Sequence, residues 1–199
     1  MKATLLVGLL ALIALPVLAD EVQKVRGTRD GKPYFEASQK ITEQATVIGI
    51  DAKTRMVTLR EENGDTTAVE AGPEVKNFAQ IKVNDVVKIS YTQKLTVTVQ
   101  AAGTPELTKE TMTAQAKPGE MPGASQTEKT TYKATIMSID KAKGSVLLKG
   151  IDGEEFSVWP EIRENLDKVA VGEIVVFTYT EAVAAKVEKA APKKNEKKK

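Results

Sequence analysis

The 199-residue chain contains no cysteine and no histidine. Without cysteine there is no disulfide and no thiolate, so stability must come from packed apolar cores. Without histidine, Ser/His/Asp and Cys/His nucleophilic sites are excluded, along with the commonest general base and metal ligand. A carboxylate-only enzyme is chemically conceivable, but no motif for one is present. The reading is of a non-enzymatic protein with no catalytic residue, no cofactor and no metal site. Aromatic residues are also scarce, with four Phe, four Tyr and a single Trp.

Long apolar runs are missing except at the start. Met1 and Lys2 form a short positive segment, Ala3 to Leu15 is apolar, and Val17-Leu18-Ala19 supplies small residues at a cleavage position. That run is too short to span a bilayer and is followed at once by Asp20-Glu21. A cleaved signal peptide over 1–19 and export to the periplasm are expected.

Neither sign of charge dominates, with 29 basic and 27 acidic side chains. Seven of the lysines fall in 186–199 against two glutamates, which leaves the body of the chain mildly acidic. A nucleic-acid groove needs clustered Lys and Arg to displace counterions, so no nucleic-acid partner is expected. Within the tail, Lys193, Lys194, Lys197, Lys198 and Lys199 are candidates for contact with an anionic surface.

What the chain does have is a repeat. "IKVNDVVKISYT" (81–92) and "VAVGEIVVFTYT" (169–180) are close copies. Ile50-Asp51 aligns with Ile139-Asp140 at an offset of 89, shared by Val57/Val146, Leu59/Leu148, Gly64/Gly153 and Val69/Val158. Val87/Val175 and Tyr91/Tyr179 follow at 88. Self-similarity over this length indicates two copies of one unit.

Each copy reads as strands separated by polar turns. If Glu62-Asn63-Gly64 and Ile151-Asp152-Gly153 are three-residue hairpin loops, Val57 faces Val69, Leu59 faces Thr67, Val146 faces Val158 and Leu148 faces Phe156. "PEVKNFAQI" and "PEIRENLDKV" then suggest a short helix before two further strands. The order β-β-β-(short α)-β-β predicts a mainly β protein of two tandem five-stranded small barrels, OB-like, with an SH3-like barrel as the alternative. The expected organisation is a polar segment at 20–44, barrel one at 45–100, a flexible, disordered linker at 101–130, barrel two at 131–187 and a Lys-rich disordered tail at 188–199.

Tyr91 and Tyr179 fall on the apolar face of their strands and read as packing residues. Trp159 breaks the repeat, because its counterpart is Glu70, and Leu147 replaces Thr58. Trp159 and Leu147 are therefore the candidate ligand-binding residues, on the face where OB folds take their ligands. Acidic residues near Gly64 and Gly153 read as solvated hairpin tips.

These residues give the chain its resemblance to a broad group of uncharacterised secreted bacterial proteins with repeated small OB-like barrels. The matches are Val47, Ile50, Asp51, Val57, Leu59, Gly64, Val75, Asn77, Phe78, Val83, Val86 and Tyr91, with Leu166, Gly172 and Glu173 in the second copy. The resemblance implies a fold more than a site. Periplasmic copper- and silver-binding efflux chaperones use a similar barrel, but their chemistry needs His and Met beside a Trp. The functional expectation is an exported, non-enzymatic binding or adaptor protein of the cell envelope, with an unknown envelope component or protein as partner. A structural or assembly protein that self-associates is the alternative, and a carboxylate-dependent periplasmic enzyme a distant third.

Overall fold

The computed structural model describes residues 22–73 and 75–190. The expected signal peptide and the five tail lysines from Lys193 to Lys199 lie outside the described residues.

The chain is mainly β. Its strands are β1 (Val22–Arg29), β2 (Lys32–Asp51), β3 (Met56–Glu61), β4 (Thr66–Glu70), β5 (Val86–Gln100), β6 (Glu106–Gln115), β7 (Gly123–Asp140), β8 (Ser145–Lys149), β9 (Glu155–Val158) and β10 (Ile174–Glu188). Hydrogen bonding joins them in the order β4-β3-β2-β5-β10-β7-β8-β9, with β1 on β2 and β6 on β7. Val57 pairs with Val69 and Leu59 with Thr67, while Val146 pairs with Val158 and Leu148 with Phe156. These are the registers that the glycine turns dictate.

The 89-residue offset recurs in the backbone. A bulge leaves Ile48 unpaired on β2 and Met137 unpaired on β7. Past each bulged strand an aspartate closes the turn: Asp51 accepts the Lys53 N–H at 2.8 Å, and Asp140 accepts the Lys143 N–H at 2.9 Å. These bonds to the charged form hold both carboxyls below their ordinary value. At an offset of 88, Asp85 accepts the Lys82 N–H and Glu173 accepts the Ala170 N–H, each folding its own turn.

Three expectations need correction. The two helical segments are 3-10 helices, Phe78–Gln80 and Arg163–Lys168, and not short α-helices. Asn77 stands in the left-handed region at φ 59° just before the first, leaving too short a run for an α-helical turn to propagate. The region 101–130 is not a disordered linker: it holds β6 and the first part of β7. β6 has almost no buried side chain, so backbone pairing with β7 holds it in place of an apolar face. The two strands expected at the end of each copy run on as the single strands β5 and β10.

The chain forms two compact units that do not follow the sequence halves. Unit 1 takes 22–41, 92–111 and 127–181, and unit 2 takes 42–91, 112–126 and 182–190. The hairpin and terminal strand that flank the first repeat thus belong to the unit built on the second repeat, and the reverse holds for the other pair. The core of unit 1 is Ala134, Ile136, Val146, Leu148, Leu166, Val175 and Phe177, with Val97 and Val99 packed against it. The core of unit 2 is Val47, Val57, Leu59, Phe78, Ile81 and Val187, with Met121 packed against it.

Candidate functional site

Unit 1 carries a cavity of about 470 Å³ that is open to solvent. Leu95, Val97 and Val99 of β5, Ile136 of β7, Val146 of β8 and Val175 of β10 give it an aliphatic wall. Alternation along these strands turns the residues inward, as β5 shows by presenting every second side chain. Tyr132, Phe156 and Phe177 form an aromatic wall, with ring centroids 6.2 Å apart for Tyr132–Phe156 and 6.4 Å for Tyr132–Phe177, both tilted. The 3-10 helix adds Asn165 and Leu166, and the segment after β9 adds Trp159 to Ile162.

The remaining wall is the β1–β2 hairpin, through Arg26, Pro33, Tyr34 and Phe35. Its turn is Asp30-Gly31, both with positive φ (52° and 76°), the two-residue type I′ geometry that suits tightly paired strands. Three ion pairs fix it to the rest of unit 1: Arg26 to Glu161, Lys32 to Glu173 at 2.5 Å and Glu36 to Lys94 at 2.8 Å. Lys32 also donates to the Lys168 carbonyl at 3.0 Å. Burial works to raise the Glu173 carboxyl, but hydrogen bonds from Lys32 and the Ala170 N–H, with the Lys32 charge, outweigh it and hold the group below its ordinary value.

The hydroxyl of Tyr132 reaches the Gly150 turn, where a Cβ built on Gly150 would lie 1.8 Å from it. Desolvation, with Asp152 and Glu154 nearby, raises the Tyr132 phenol above its ordinary value and keeps it protonated. The cavity lining is otherwise short of polar groups, so its chemistry is burial of apolar surface.

Trp159 is 66 % exposed, lies one residue beyond β9 and contributes to the cavity lining. Leu147 pairs with Ser157 on β9, is partly exposed, and is not among the lining residues. The two candidate residues are therefore not brought together at the cavity. Sequence reasoning missed Tyr132, Phe156 and Phe177, although the repeat carries the signal. Their counterparts at the same offsets are Glu43, Thr67 and Ile89. Together with Trp159 opposite Glu70, four aromatic positions distinguish the second repeat from the first.

Unit 2 packs its own hairpin on its own core. Its hairpin brings Pro122, among the most deeply buried residues, and Met121 against the core, and the Val187 N–H donates to the Pro122 carbonyl at 2.8 Å. Asn77 donates to the Lys117 and Glu120 carbonyls at 2.7 and 3.1 Å, pinning that hairpin. No family model, curated protein or solved structure matches the chain.

Proposed function

We propose that the protein is an exported, non-enzymatic binding protein of the cell envelope, whose unit 1 takes an apolar ligand. The observation that carries this reading is the 470 Å³ cavity, walled by aromatic residues that the first repeat lacks. Its volume falls in the range of small-molecule sites, roughly 300–1,000 Å³. The first repeat carries Glu43, Thr67, Ile89 and Glu70 at the corresponding positions, so these aromatic residues belong to the second repeat alone. Periplasmic placement rests on the leader read over 1–19.

In this reading each compact unit, built on one repeat with flanking strands from the other half, is an OB-like barrel, with SH3-like as the alternative, and Trp159 guards the ligand entrance. The tail lysines add contact with an anionic surface. Self-association through Trp159 is a second reading, favoured by the exposure of that side chain.

The test is titration with N-phenyl-1-naphthylamine, a neutral apolar dye whose emission rises on leaving water. The native protein should bind it, and Val97→Phe, which fills the aliphatic wall, should weaken binding about tenfold or more. Equal binding by both proteins, or none by either, would contradict the reading.

A further inference from the structure

We infer that the occupant of the unit 1 cavity is an extended polypeptide segment, which adds as a strand to the free edge of β9 and places alternate apolar side chains in the cavity. This rests on the cavity as the binding site and adds the class of its partner.

The sheet of unit 1 does not close. Its strands run β1-β2-β5-β10-β7-β8-β9, so β1 and β9 each have a single neighbour. Every one of these strands contributes to the cavity lining, from Arg26 of β1 to Val158 of β9. The sheet curls around the cavity, and both of its ends are strand edges. Among the described residues no backbone hydrogen bond joins those edges. The tie between them is the exposed ion pair of Arg26 with Glu161, in the segment after β9.

Which main-chain groups are open follows from the hydrogen-bond pattern. The Gly150 N–H donates to the Glu154 carbonyl at 2.9 Å, in the same register that pairs Leu148 with Phe156 and Val146 with Val158. Hydrogen-bonded pairs alternate in an antiparallel ladder, so Phe156 and Val158 bond to β8. The N–H and C=O groups of Glu155 and Ser157 then point to the free edge. Ser157 lines the cavity although alternation turns its side chain away from the face of Phe156 and Val158, so its main chain is what it offers there. On β1 the two-residue turn makes Arg29–Lys32 and Gly27–Tyr34 the hydrogen-bonded pairs, which leaves the main chain of Arg26 pointing away from β2.

These features select a polypeptide. The β9 edge presents a donor and an acceptor at two positions with the repeat of a strand, and an apolar small molecule has nothing to pair with them. An extended chain pairs with such an edge and turns every second side chain to one face, here toward the aliphatic and aromatic walls. The one cation and the one carboxylate of the lining are paired with each other, so neither calls for a charged partner.

The experiment titrates the full chain with a blocked peptide of alternating threonine and valine, closed by a lysine at each end, beside N-phenyl-1-naphthylamine. The peptide should bind and displace the dye. Methylating its amide nitrogens at alternate positions removes donors while keeping every side chain. In one of the two frames this should weaken binding about tenfold or more, the scale of one or two hydrogen bonds, and in the other about threefold or less. Amide hydrogen exchange gives a second readout. In the free protein the Phe156 and Val158 amides should be protected and that of Ser157 open, and the peptide should slow exchange at Ser157 about tenfold or more. Strand addition is wrong while the cavity reading stands if the dye binds and the peptide does not, if methylation in neither frame weakens binding, or if Ser157 stays open at saturation. If neither dye nor peptide binds, both fall.

Discussion

Gly150 and Tyr132 show how a single position shapes the cavity wall. An alanine at 150 would bring its Cβ to 1.8 Å from the Tyr132 hydroxyl and 3.0 Å from the ring carbon that bears it. Gly150→Ala should therefore displace Tyr132 and destabilise the protein by about 1–3 kcal/mol, the usual cost of overpacking. Adding Tyr132→Phe removes the nearer clash and should restore part of that loss. Thermal unfolding of the single and double variants checks this, and additive losses would contradict it. At this scale the sequence was partly legible. Trp159 stood out because Glu70 is its counterpart, whereas Tyr132 did not, because its partner Glu43 lies outside the strongest stretch of the repeat. The contact at Gly150 joins residues 18 positions apart through a turn, and no local pattern reports it.

At the scale of elements, the β1–β2 hairpin is the part of the site that its own sequence conceals. Every residue of β1 is exposed or only partly buried, so the strand has no apolar alternation to reveal it; its backbone pairs and its ion pairs hold it. β6 escaped notice for the same reason. The hairpin registers at Gly64 and Gly153, by contrast, were readable because a one-residue slip would expose every core side chain. The hairpin ties have a pH dependence. Glu173 has an ordinary value of 4.5 and is held lower in the folded state. Its stabilisation is therefore present above the unfolded value and is lost as pH falls through the folded one. The melting temperature should drop on acidification below about pH 4.5. That drop should be smaller in Glu173→Gln, which lacks the titrating charge. An identical acid profile for the two proteins would remove Glu173 as a contributor.

For the whole molecule, the exchange of segments between sequence halves is the main consequence of the fold. Unit 1 needs 22–41 and 92–111 together with 127–181, so neither half of the chain contains a complete unit. Tandem barrels with boundaries at 45–100 and 131–187 are what the repeat alone suggests, because self-similarity marks which residues are equivalent and not which copies pack together. Fragments 20–104 and 105–199, produced in the same cell, should co-purify as a stoichiometric pair. Each fragment alone should fail to give a folded monomer. Two independently folded monomeric fragments would show that the exchange does not occur.

The most direct test of the central claim uses the single tryptophan. If Trp159 stands at the open mouth of a ligand cavity, its emission should be red and readily quenched by iodide at every protein concentration. Saturation with an apolar ligand should then shift it to the blue and protect it. A blue, protected signal that turns red only on dilution would make Trp159 part of a self-interface. A red signal that no apolar ligand changes would contradict the cavity as a binding site.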